Sequence, residues 1–189
     1  MPSPAAIERP SGLVYRPEFL SSGEEAELLA FMEATEFHSV TIRGQTARRT
    51  VRHYGYAYGY GSGRVAPGEP LPDELAWLRD RAAGLADLAP AKLAQTLVSR
   101  YPPGAPIGWH RDAATFGPTL IGVSVGASSR LRLRSDDGEE RRSFELELEP
   151  RSAYVLGGPS RSEWQHSIPP VKELRYSITF RTLPTRDAK

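Results

Sequence analysis

Apolar residues follow two different rhythms along the 189-residue chain. In the N-terminal half, two stretches repeat at helical spacing. Ser21 or Ser22, followed by Glu24 and Glu25, makes a helix-starting signal. Leu28, Leu29, Phe31 and Met32 then form an apolar stripe, which predicts a helix over 23–35. Residues 73–88 place Leu75, Leu78, Ala82, Leu85 and Ala86 on one helical face, a second helix weakened by Gly84. From Thr119 onward the rhythm changes to alternation. Strands are expected over 119–125, at Arg130–Arg134, at Phe144, Leu146 and Leu148, over 152–156 and over 175–182, with turns at Asp136-Asp137-Gly138 and Gly157-Gly158-Pro159. Val14-Tyr15 and Leu97-Val98 suggest two earlier strands.

Short antiparallel strands after two helices predict a mostly β, α+β fold: a double-sheet jelly-roll barrel with the helices packed outside. One domain over 1–189 is expected, with residues 1–12 a loose, flexible lead-in. Prolines at 102, 103 and 106 stop regular pairing, so Trp109 to Asp112 should sit on or just past a loop.

Residues 37–70 read differently. Arg43, Arg48, Arg49, Arg52 and His53 lead into Tyr54, Tyr56, Tyr58 and Tyr60, spaced by two as on one face of a strand. Such a segment can contact phosphates and stack bases, or can be an edge strand with half-buried tyrosines and solvated arginines. Net charge is only +1, so a basic footprint for a polyanion must be local. The chain has no cysteine, which excludes disulfides and thiolate ligands and leaves metal chemistry to histidine and carboxylate. There is no signal pattern and no apolar run of membrane length, so a cytoplasmic monomer is the expectation.

Two of the four histidines stand out. His110 and Asp112 are two apart, and His166 follows Trp164 shortly before the last strand. Two imidazoles and a carboxylate can occupy one face of a non-haem Fe(II) and leave the others open. Arg175 and Arg181 lie six apart, so both project to one face of a strand with Ser177 and Thr179. They are either solvated or aimed at an anion such as a dicarboxylate.

These residues together resemble the AlkB-like Fe(II)- and 2-oxoglutarate-dependent dioxygenases. The likeness covers most of 43–183. It rests on Gly55-Tyr56-Ala57-Tyr58, on Tyr101-x-x-Gly104, on His110-x-Asp112, on His166, and on Arg175-x-x-x-Thr179-Phe180-Arg181. It implies a double-stranded β-helix with Fe(II) on His110, Asp112 and His166. It also implies 2-oxoglutarate held by Arg175 and Tyr101, with Arg181, Ser177 and Thr179 around it, O2 as co-reactant, and 37–70 as a substrate-recognition lid. Arg49, Tyr56 and Tyr58 are the implied substrate contacts. The implied reaction is oxidative demethylation or hydroxylation of an alkylated base in single-stranded or flipped-out nucleic acid. A protein or small-molecule hydroxylase on the same core, or a non-catalytic jelly-roll binding module, are the alternatives. Ser99 and Ser177 stand where many members have Asn, Ala114 where a carboxylate is common, and Arg49 where a stacking aromatic is expected.

Overall fold

The computed structural model describes residues 8–137 and 140–184. The larger sheet has seven strands, in spatial order β1 (Leu13–Arg16), β11 (Ala153–Leu156), β8 (Leu120–Gly126), β13 (Arg175–Arg181), β6 (Gln95–Tyr101), β3 (Gln45–Tyr54) and β2 (His38–Ile42). The smaller sheet runs β10 (Glu140–Leu148), β9 (Ser129–Asp137), β12 (Gln165–Ile168), β7 (Ile107–His110). A two-stranded ribbon pairs β4 (Tyr56–Tyr58) with β5 (Val65–Pro67). The pairings between these strands are antiparallel.

Alternation along the central strands divides the large sheet into two unlike faces. Val98, Val123, Val125, Ile178 and Phe180 point to one side and form a core with Leu28 and Met32 of α1 (Ser22–Glu33) and Leu75 and Leu78 of α2 (Asp73–Gly84). Each such fully buried leucine stabilises the fold by about 2–3 kcal/mol. On the other side Tyr101, Leu120, Tyr154 and Leu156 meet Leu131, Leu133, Leu148 and Ile168 of the small sheet. This is the expected jelly roll with its helices outside. A capping box starts α1: Ser21 Oγ accepts from Glu24 N (3.2 Å) and Glu24 Oε2 accepts from Ser21 N (2.9 Å). The same carboxylate takes Arg81 of α2 at 2.6 Å, tying the two helices together.

Three local expectations need correction. The second helix ends at Gly84, not at residue 88, and the chain turns through Asp87 at φ 52 into a single 3-10 turn, Pro90–Lys92. The four tyrosines do not share a strand. Gly55 has φ 78, and a Cβ there would lie 2.2 Å from the Ala94 carbonyl oxygen, so β3 stops at Tyr54, whose ring enters the helix-side core. As expected, Trp109 and His110 fall just past the proline loop, on the edge strand β7, and Asp112 lies beyond its end. Of the expected lead-in, Pro10 is buried, and the carbonyls of Ser11 and Gly12 accept from Ser160 and Gly157 at 2.9 and 3.2 Å, so 10–12 are packed. Residues 1–7 and Gly138 of the expected turn lie outside the described residues. Strand β12 and the one-turn helix α3 (Pro159–Ser162), which replaces a simple turn after Gly157, had no periodic signal.

Candidate functional site

Strand register assembles the site. His166 on β12 pairs directly with His110 on β7, which brings their rings to 4.2 Å between centroids. Asp112 lies two residues past the strand, where Arg161 of α3 holds the turn by donating to the carbonyls of Asp112 (3.2 Å) and Ala113 (3.3 Å). Asp112 Oδ1 is then 3.7 Å from His110 Nε2 and 3.6 Å from His166 Nε2. Ligand atoms of the three residues lie within 4.8 Å of one another. His110 donates Nδ1–H to the Gly108 carbonyl at 2.8 Å, so its lone pair is on Nε2, the atom facing Asp112.

Electrostatics put the three groups in the charge state that takes up a divalent cation. Burial pushes His166 down to about 3, and the neighbouring imidazole adds to this against the opposite pull of Asp112. Burial lowers His110 as well. It would raise Asp112, but Arg181 foremost, then the two imidazoles and Arg161, bring it down to about 2. Two neutral imidazoles thus flank an ionised carboxylate.

The cosubstrate candidates occupy the inner face of β13 and its neighbours. Arg175 is completely buried and pairs in register with Tyr101, its guanidinium 5.3 Å from the tyrosine ring centroid. Nη2 donates to Ser124 Oγ at 2.8 Å, whereas Nε and Nη1 have no hydrogen-bond partner among the described residues. A buried guanidinium with two idle donors calls for an anion. The orphaned donors fit a carboxylate of 2-oxoglutarate, and the His-Asp-His donor set fits Fe(II). Arg181 Nε donates to Asp112 Oδ2, and its Nη1 donates to Gln95 Oε1 at 3.1 Å. Ser99, Ser177, Thr179 and Arg181 line a cavity of about 520 Å³ that also exposes His110, Asp112 and His166.

Arg49, Tyr58, Tyr60 and Phe116 line the same cavity. Arg49 is 6% exposed, and no carboxylate pairs with it among the described residues. Tyr56 does not line the cavity; the side chain that does, beside Tyr58, is Tyr60. Ala114 is exposed and also absent from the lining, where Phe116 sits 5.5 Å from Tyr58 and 4.7 Å from the Arg181 guanidinium. Sequence reasoning passed over Gln95, Phe116 and Tyr154. Gly122 was a usable signal for the last, since a glycine inside a strand marks close approach. A Cβ there would lie 2.4 Å from Tyr154 Cε1.

The comparisons agree with this geometry. Residues 12–181 match the model of the 2OG-Fe(II) oxygenase superfamily. The alpha-ketoglutarate-dependent dioxygenase AlkB of Salmonella typhimurium is 31% identical over 157 residues, covering 76% of this chain and 70% of that protein. The tRNA (carboxymethyluridine(34)-5-O)-methyltransferase ALKBH8 of Macaca fascicularis is 29% identical over 170 residues, 84% of this chain. The chain spans only 24% of that relative's length. Among solved structures, OsALKBH1 superposes with a TM-score of 0.72 over 93% of this chain and 98% of its own, at 15% identity. A Pseudomonas putida prolyl-4-hydroxylase gives 0.65 over 91% and 92%, at 14% identity, so the fold is shared by proteins of different name and does not choose the substrate. No helix among the described residues is long and apolar enough to cross a membrane. By the match over nine-tenths of its length, the chain belongs to the 2OG-Fe(II) oxygenase superfamily, within its AlkB-like members.

Proposed function

We propose that the protein is an Fe(II)- and 2-oxoglutarate-dependent dioxygenase that demethylates or hydroxylates alkylated bases in single-stranded or flipped-out nucleic acid. His110, Asp112 and His166 hold the iron. Arg175, with the Tyr101 hydroxyl, takes the distal carboxylate of the cosubstrate; Ser177 and Thr179 line its slot, and Arg181 favours its other carboxylate while orienting Asp112. Iron, cosubstrate and O2, when bound, supply the oxidant for a substrate C–H bond; on an N-methyl group the product collapses to formaldehyde and the free amine. The chain's own part is to keep both imidazoles neutral, present the cosubstrate in a dry slot and hold a flat substrate opposite the metal.

The observation that carries the choice of substrate is the cationic and aromatic part of the cavity lining. A buried arginine with no carboxylate partner among the described residues lies 6.0 Å from the Tyr60 ring centroid and lines the same cavity as Tyr58, Phe116 and the His-Asp-His cluster. Stacking surfaces next to a cation suit a base and its phosphate. The names of the relatives, among them an alkylated DNA repair protein homologue of Arabidopsis thaliana, point the same way. In this reading residues 37–70 are the substrate-covering segment, and the enzyme works as a cytoplasmic monomer.

The test is to incubate Fe(II)-loaded protein with 2-oxoglutarate and single-stranded oligonucleotides carrying N-methylated bases, following formaldehyde. Formaldehyde release in proportion to methylated base supports the proposal. Brisk 2-oxoglutarate turnover indifferent to every methylated oligonucleotide removes the nucleic-acid reading. Loss of turnover in His110→Ala is required by the metal assignment, and undiminished turnover sinks it.

A further inference from the structure

A chain of polar side chains runs from Asp112 to Tyr60 in the cavity lining, and its hydrogen-bond directions are forced. Arg181 can only donate, so Asp112 Oδ2 and Gln95 Oε1 both accept from it. The Gln95 amide is therefore oriented without ambiguity, since the opposite flip would set its NH2 against the guanidinium. Its Nε2 then donates to His53 Nδ1, 3.0 Å away. With Nδ1 accepting, neutral His53 must carry its proton on Nε2, which lies 3.4 Å from the Tyr60 hydroxyl. The phenol oxygen accepts from His53, which leaves its own proton no role within the relay.

We infer that Tyr60 is a hydrogen-bond donor to the substrate, its polarity set by the Arg181–Gln95–His53 relay that begins at Asp112, and that the atom it meets is an acceptor on the edge of a base, a carbonyl oxygen or a ring nitrogen. The inference rests on the proposed reading in which this cavity takes a base. Tyr60 lines the cavity, is held edge-on by Tyr58 at 5.1 Å between centroids, and has the Arg49 guanidinium 6.0 Å from its own. Burial pushes the Tyr60 phenol up, so it stays a donor at neutral pH. Burial foremost, then the charges of Arg181 and Arg49, hold His53 near 4, which keeps it neutral and its single proton on Nε2. His53 and Gln95 are positioning residues that decide which way Tyr60 points its proton.

Two measurements test this. In 15N-histidine-labelled protein loaded with Zn(II), long-range 1H–15N correlations should show His53 as the Nε2–H tautomer; the Nδ1–H form would overturn the relay. Gln95→Glu should invert it, because a carboxylate accepts from Arg181 and from His53 Nδ1–H alike, turning Tyr60 into the donor to Nε2. Binding of a labelled 1-methyladenine oligonucleotide to the Mn(II)-loaded protein, read by anisotropy, should then weaken about tenfold in Gln95→Glu and in Tyr60→Phe. The double variant should lose no more than either single one. Equal binding by Tyr60→Phe and the unaltered protein overturns the donor role. If the unaltered protein binds no methylated oligonucleotide, the nucleic-acid reading falls, while the tautomer still decides the relay.

Discussion

The Nε of Arg181 donates to Asp112 Oδ2 while Asp112 Oδ1 faces both imidazoles, so one guanidinium divides the carboxylate into an oriented oxygen and a free one. Arg181 reaches Asp112 and Gln95 from two separate nitrogens, Nε and Nη1, a spread that the single nitrogen of an ammonium does not have. Arg181→Lys should therefore weaken Mn(II) binding by roughly tenfold, within the range usual for groups that orient metal ligands. Titration calorimetry on metal-stripped protein checks it, and unchanged affinity would leave Arg181 no role in orienting Asp112.

Arg175 sets function against stability. Without an anion, its buried Nε and Nη1 have no hydrogen-bond partner among the described residues, and a chain that replaced them with an apolar side chain would lose that penalty. Arg175→Met should raise the unfolding free energy of the ligand-free protein by about 1–3 kcal/mol in urea. The same variant should no longer be stabilised by 2-oxoglutarate. A variant less stable than the parent without ligand would mean that the guanidinium is already satisfied.

How far these features could be read from the chain depends on the distance over which each is specified. The even spacing of Arg175 and Arg181 set their shared face, because alternation is a local property of one strand, and burial of Tyr176, Ile178 and Phe180 on the opposite side follows from the same parity. The tyrosine run defeated the same rule at one residue, Gly55, whose positive φ depends on the Ala94 carbonyl pressed against it. Nothing along the chain could announce the row His53, Leu97, Thr179, Gly122, Tyr154, which exists only through the register of β3, β6, β13, β8 and β11. Metal-type motifs are visible in sequence because their residue types are rare; the groups that orient them are ordinary glutamines and tyrosines.

That row yields a prediction of its own. Tyr154 lies across Gly122, with Cε1, Cζ and the hydroxyl oxygen 2.4, 2.4 and 2.6 Å from where a Cβ would be. Gly122→Ala must displace the ring from the cavity floor, at a cost of about 1–3 kcal/mol as an overpacked core position. In a Tyr154→Leu background the same change should be nearly neutral, so the double-mutant cycle in urea should return most of that cost as coupling. Additive effects would show that the ring does not rest on Gly122.

Acid should destabilise the metal-free protein well above the carboxylate range. Burial foremost holds His166 near 3 and His53 near 4 against an ordinary 6.5, so the unfolded chain binds more protons than the folded one below about 6.5. Stability attributable to these neutral rings is full above that pH and is lost as the pH falls toward their folded values. For fully buried His166 the slope is about 1.4 kcal/mol per pH unit within the window. Asp112 acts lower down: held near 2 against 3.8, its contribution is present above 3.8 and lost as the pH falls toward 2. Urea unfolding of metal-free protein at pH 7.5, 6 and 5 should therefore show a steady decline, shallower in His166→Gln. Stability that stays flat from pH 7 to 5 would contradict the burial of a neutral imidazole at this position, and with it the readiness of His166 to meet a cation without first giving up a proton.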